Sequence, residues 1–170
     1  KMEKNNVEVT FLNNPMPLVG KQIKVGDKAP NFVAVGAGLK PVSLSDFDGK
    51  VKVIAIYPSI DTGVCQAQNR KFNKIASEKT DVVVISISCD LPFAQGRFCA
   101  TEGLNNIVTI SDHKDLDFGS KYGYIMEPLR LLARGTVIID KNNVVQFVEY
   151  VKEVTTEPDY DGALKVISSL

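Results

Sequence analysis

Apolar and polar positions along the chain change period several times, and each change predicts an element. Val7-Glu8-Val9-Thr10-Phe11 alternates with period two, as a strand with one covered face does. Asn13-Asn14-Pro15 and then Pro17-Leu18-Val19-Gly20 follow it, so this stretch predicts an N-terminal β-hairpin. Phe32 to Val35 and Pro41 to Leu44 predict short strands, with a turn at Asp48-Gly49-Lys50. Lys52 to Tyr57 is a nearly continuous apolar run, the mark of a strand covered on both faces, and Pro58 ends it. From Gly63 to Lys79 the period changes: Val64, Ala67, Phe72, Ile75 and Ala76 share one side of a helix. Asp81 to Ser88 is a second buried strand. Asp90 is placed to cap a helix with Pro92 in its first turn and Gly103 at its end. Asn106 to Ile110 predicts a strand and Asp112 to Lys121 a short helix stopped at Tyr122-Gly123. Gly135 to Asp140 and Val144 to Tyr150 predict a hairpin, and Asp159 to Leu170 a closing helix.

This order predicts an α/β fold with a central mixed β-sheet flanked by helices on both faces. A βαβ unit followed by a C-terminal hairpin and helix is thioredoxin-like in order, which says nothing by itself about activity. With 170 residues and no linker or repeat, the chain reads as a single domain over residues 1–170. Lys plus Arg and Asp plus Glu each number 20, so charge offers no basis for binding nucleic acid or an anionic membrane. The apolar runs fall far short of the roughly 20 residues a membrane span needs. The opening Lys1-Met2-Glu3-Lys4-Asn5-Asn6 is polar and lacks a secretory h-region, which points to a cytoplasmic protein. No Walker A loop or dinucleotide fingerprint is present, and the single histidine, His113, excludes a zinc site with several histidine ligands, so no cofactor is expected.

Three cysteines do not make a disulfide framework, and each admits two readings, a packed thiol or a reactive one. Cys65 has the most telling surroundings, Tyr57-Pro58-Ser59-Ile60-Asp61-Thr62-Gly63-Val64-Cys65-Gln66, at the C-terminal end of a central strand. If Thr62 caps the helix, Cys65 lies in its first turn, near unpaired amides and the positive end of the helix dipole, which favour a negatively charged sulfur. A thiolate is the nucleophilic form. A cation would strengthen this reading, and two arginines stand near a late strand: Arg134 immediately before it and Arg130 in the preceding loop. Cys99 sits on the following helix, where a long-range disulfide is permitted but not required. Cys89 ends a buried strand and reads as packing.

At these residues the sequence resembles the peroxiredoxins, whose Pro-x-x-x-Thr-x-x-Cys signature is filled by Pro58, Thr62 and Cys65. Longer stretches are similar to the atypical two-cysteine group of bacterial thiol peroxidases: Asp90 to Gln95, Arg97-Phe98-Cys99, Glu102 to Asn106, and Thr155 to Tyr160. The resemblance spans nearly the whole chain. It implies that Cys65 is the peroxidatic cysteine and attacks a hydrogen or organic peroxide. It implies that Thr62 holds thiolate and peroxide, that Pro58 shields the site, and that Arg134 rather than Arg130 orients the peroxide. It also implies that Cys99 is the resolving cysteine, forming an intramolecular disulfide that thioredoxin reduces, and that the protein is a homodimer. Disulfide formation needs Cα atoms about 4.4–6.8 Å apart, so the Cys99 helix, with Gly96 as a weak point, is expected to unwind. Two other classes compete: a general thiol–disulfide oxidoreductase, disfavoured by the lack of Cys-x-x-Cys, and a non-catalytic redox-sensing module.

Overall fold

The least alternating apolar runs of the chain form the middle of the sheet. The computed structural model describes residues 2–170; Lys1, the first of the polar opening residues, lies outside them. In chain order the elements are β1 (Val9–Phe11), β2 (Asn14–Met16), β3 (Leu18–Val19), β4 (Val33–Val35), β5 (Pro41–Ser43), β6 (Val51–Ile56), α1 (Gly63–Glu78) and β7 (Val82–Ser88). There follow α2 (Pro92–Glu102), β8 (Ile107–Ser111), α3 (Asp117–Tyr122), β9 (Ile125–Met126), β10 (Leu131–Leu132), β11 (Gly135–Ile139), β12 (Val145–Tyr150) and α4 (Tyr160–Ser168).

Seven strands form one sheet in the order β12-β11-β6-β7-β8-β4-β5. β6, β7 and β8 run parallel, while β11 is antiparallel to both β6 and β12, and β4 is antiparallel to β8. The sheet is therefore mixed, as the order of apolar runs predicts. Every residue of β6 is buried because helices lie on both faces of the sheet. Phe72 and Ile75 of α1 and Ala163 and Ile167 of α4 pack with Val53, Ala55 and Val84 on one face. Phe118 and Tyr122 of α3 join Ile54, Ile56, Ile85 and Ile87 on the other.

The N-terminal hairpin forms, but from β1 and β2; the Leu18–Val19 segment pairs instead with β9. Leu12 and Asn13 connect the two strands with φ of 53° and 65°, the left-handed pair that a two-residue hairpin turn requires. Along its outer edge β1 is fastened to the segment after β12: Thr10 N donates to Lys152 O at 2.7 Å and Val154 N to Thr10 O at 2.9 Å.

Three sequence expectations change. The buried face of α1 is Cys65, Gln68, Asn69, Phe72 and Ile75, whereas Val64, Ala67 and Ala76 are only half-buried. Two amides take inward positions there, because Ile56 O, Cys65 O and Ser86 Oγ offer them hydrogen-bond partners. Asp90 does not cap α2: Leu91 holds the cap position and contributes no side-chain bond, while the Asp90 carboxylate is spent elsewhere. The Asp112 helix begins later, at Asp117. Asp112 reaches across the intervening loop and accepts from Phe118 N and Gly119 N, so it caps the helix from a distance.

Candidate active site

β6 ends at Ile56, and the buried Tyr57 and Pro58 carry the chain off the carboxyl end of the parallel strands. The loop that follows is held by Asp90 at the end of β7. Ser59 Oγ donates to Asp90 Oδ1 at 2.9 Å, and Ile60 N donates to Asp90 Oδ2 at 2.7 Å. Ser88 Oγ donates to the same Oδ2 at 2.6 Å. This tie sets where α1 starts. Thr62 is its cap in extended conformation, with Oγ1 accepting from Cys65 N at 3.3 Å. Cys65 therefore lies in the first turn, as the sequence predicts. Its side chain is 0% exposed, enclosed by Tyr57 and Ile60 with Phe98 of α2 packed against them.

A recess lies at the start of α1, and its wall includes Pro58, Thr62, Val64, Arg134, Val154 and Phe11. Three of the sequence-selected residues are thus brought together; Cys65, next in sequence to the lining residue Val64, is fully buried and is not part of the wall. The Thr62 hydroxyl donates to Ser59 O at 3.3 Å. Arg134 is 2% exposed. Its Nε donates to Val154 O at 2.7 Å and its Nη1 to Gln68 Oε1 at 2.8 Å. Among the described residues the second terminal nitrogen has no hydrogen-bond partner, which leaves it for a ligand in the recess. Arg130 is exposed, with φ of 56°, and lies in a different recess beside Cys89.

Sequence reasoning missed Gln68 and Asn69. Gln68 Nε2 donates to Ile56 O at 3.2 Å while its oxygen holds Arg134, so it ties the arginine to the end of β6. Asn69 Nδ2 donates to Cys65 O at 2.8 Å and its oxygen accepts from Ser86 Oγ, which meets Tyr57 Oη at 2.7 Å. The first turn of α1 is thereby bonded to the strands below it. Two amides on the inward stripe of an otherwise apolar helix face were the available signal, since buried polar groups need partners.

All three thiols are free. Cys99, half-buried on α2, lies beside the Thr109 side chain; burial pushes its thiol up, opposed by the Thr109 hydrogen bond. Its neighbour Phe98 packs against the Cys65 cluster, and Cys65 and Cys99 are not joined by a disulfide. Burial, helped by the nearby charge of Asp112, pushes Cys89 up to about 12. Both effects disfavour the thiolate, the reactive form.

Residues 24–164 match the Redoxin family. The chain belongs to that family. Its relatives place it more narrowly, among the thiol peroxidases. It is 54% identical over 157 residues to a thiol peroxidase of Halalkalibacterium halodurans, covering 92% of this chain and 95% of the relative. It is 50% identical over 163 residues to that of Staphylococcus saprophyticus, covering 96% and 99%. A peroxiredoxin-like protein from Aquifex aeolicus has the same fold, with a TM-score of 0.90, 38% identity and 99% of each chain covered. This redoxin thus shares the thioredoxin-like peroxiredoxin architecture from the N-terminal hairpin to α4.

Proposed function

We propose that this redoxin reduces peroxides at Cys65, with Cys99 as the resolving partner. The observation that carries the reading is Cys65 in the first turn of α1, capped by Thr62, which shares a recess wall with the buried Arg134. The thiol peroxidase relatives support peroxide as the substrate and a thiol as the reductant.

In the proposed cycle the Cys65 thiolate attacks the nearer peroxide oxygen. An S–O bond forms as the O–O bond breaks, and the departing alkoxide or hydroxide takes up a proton to leave as alcohol or water. Sulfur is oxidised by two electrons to a sulfenic acid. Arg134 faces the charge that develops on the departing oxygen. Pro58 excludes water, and Thr62 orients the peroxide through its hydroxyl. The Cys99 thiol then attacks the sulfenic sulfur, a disulfide forms and water leaves. A dithiol, which we assign to thioredoxin, reduces the disulfide and is itself oxidised. The free thiols, with Cys99 turned toward Thr109, correspond to the reduced state from which α2 must unwind.

We further propose that residues 1–170 act as one domain, that the protein is a homodimer, and that it works in the cytoplasm. Among the described residues no helix is long and apolar enough to cross a membrane.

Peroxide consumption, followed with a thioredoxin system and by mass spectrometry of alkylated thiols, tests the reading. Cys65→Ser is expected to consume no peroxide. Cys99→Ser is expected to consume one equivalent and stop. Full turnover by either variant would overturn its assigned role. A wild type oxidised once but never recycled by any dithiol would mark a redox sensor instead.

A further inference from the structure

The Redoxin match begins at residue 24, so the N-terminal hairpin stands outside it. Yet the hairpin reaches the recess. Phe11, the last residue of β1, forms part of its wall together with Pro58 and Thr62. β1 also runs beside residues 152–154, and Val154 is the residue whose carbonyl accepts from Arg134 Nε at 2.7 Å. The position of the arginine therefore depends on a segment that the hairpin holds.

One side chain fastens the two together. Glu153 Oε1 accepts from Thr10 Oγ1 at 2.8 Å and from Asn13 N at 2.7 Å. Its Oε2 accepts from Leu12 N at 3.3 Å and from Thr155 N at 2.9 Å, and also from Thr155 Oγ1. Leu12 and Asn13 are the left-handed turn of the hairpin, where two successive amides point the same way and suit an anionic acceptor. The carboxylate thus joins the hairpin tip to Thr155, another residue of the recess wall. Five donors on one carboxylate are far more than a solvated surface glutamate collects. They hold its carboxyl down to about 2, the Thr155 hydroxyl contributing most.

We infer that Glu153 is a positioning residue for the peroxide site: by locking the hairpin onto residues 152–155 it sets both the Val154 carbonyl that aims Arg134 and the Phe11 wall that meets the substrate. The inference rests on the assignment of Cys65 and Arg134 above. Glu153 touches neither sulfur nor peroxide. Its loss should act on oxidation of Cys65 and leave the later disulfide step alone, because α2 and Cys99 make no contact with the hairpin tip among the described hydrogen bonds.

The test is single-turnover oxidation of the intact protein by hydrogen peroxide and by cumene hydroperoxide, quenched with an alkylating agent and read by mass. Small misplacements of a catalytic group are costly, so Glu153→Ala is expected to slow Cys65 oxidation about tenfold or more. The loss should be larger for cumene hydroperoxide, whose bulk meets the Phe11 wall. Glu153→Gln keeps one acceptor oxygen and should recover part of the rate. Thr10→Val removes one hydroxyl from the carboxylate, and covers the case in which Glu153→Ala does not fold; it should show the same selectivity change in smaller degree. Oxidation within about twofold of wild type for both peroxides would overturn the inference. So would an equal slowing of oxidation and disulfide formation, which indicates general loosening. A wild type that never forms the Cys65 sulfenic acid would instead defeat the assignment of Cys65.

Discussion

Arg134 and Gln68 show how a buried charge is kept available. A guanidinium 2% exposed needs partners, because an unpaired buried charge is costly. A carboxylate would satisfy it and cancel it. Here its partners are a backbone carbonyl and the neutral amide of Gln68, which fix the fork without neutralising it. In the proposed cycle the positive charge is left for the peroxide oxygen that departs as the O–O bond breaks. Gln68→Leu would leave Arg134 Nη1 without its partner and remove the Gln68 bond to the Ile56 carbonyl. It is expected to cost about 1–3 kcal/mol of stability. Cys65 oxidation should fall by about tenfold, since about 1.4 kcal/mol of barrier corresponds to that factor. Urea unfolding and single-turnover kinetics check the two parts separately. An unchanged oxidation rate would show that Val154 alone holds the arginine. The same scale separates the cysteines: Cys65 sits in a capped first turn of α1, whereas Cys89 lies where burial and the charge of Asp112 both disfavour a thiolate.

Among the α-helices, α2 is the least committed to the fold. α1 buries five side chains; the one fully buried side chain of α2 is Gln95. Gln95 Nε2 bonds Ile110 O at 2.8 Å and Ser88 Oγ at 3.1 Å, but its oxygen finds no partner in the protein. The cap residue Leu91 makes no capping bond, and Phe93 is 65% exposed. The Arg70–Glu102 ion pair at the far end is surface-exposed and so contributes little. A helix held this loosely can unwind locally at modest cost, as bringing Cys99 to Cys65 requires. Gly96 lies in its middle, and an added methyl group there would meet nothing within 4 Å. Gly96→Ala should stabilise the helix by about 1 kcal/mol and slow disulfide formation about fivefold, with oxidation of Cys65 unchanged. Time-resolved thiol mass spectrometry reads both steps. An unaltered disulfide rate would mean that α2 does not unwind through Gly96.

At the scale of the whole molecule, the response of folding stability to pH follows from carboxylates buried to different degrees. Burial pushes Asp112 up to about 7, although Phe118 N and Gly119 N donate to it. The raised value means that the fold favours the protonated form. The contribution of Asp112 is therefore fullest below its ordinary value near 3.8 and is lost as pH rises through about 7. Relative to Asp112→Asn, whose neutral amide does not titrate, the wild type should lose thermal stability between about pH 4 and 7. Melting temperatures across that window check it, and parallel curves for the two proteins would refute it. Glu153 has the opposite sign, its contribution being lost as pH falls toward 2. Asp112 also marks a limit of local reading. The sequence placed it at a helix start, but its loop let it cap from several residues away. What the sequence determined alone is whatever depends on neighbours along the chain. The apolar runs foretold the central strands, because strands covered on both faces leave few polar positions. Thr62, three residues before Cys65, foretold a capped first turn. The signature stretches around Cys65 and Cys99 foretold the family. What only the tertiary structure decided depends on partners distant in sequence. The aim of Arg134 rests on Gln68 and Val154, the start of α1 rests on Asp90, and the wall of the recess rests on a hairpin locked by Glu153. Such pairings leave no period in the sequence, because a hydrogen bond between remote segments is set by where the sheet brings them.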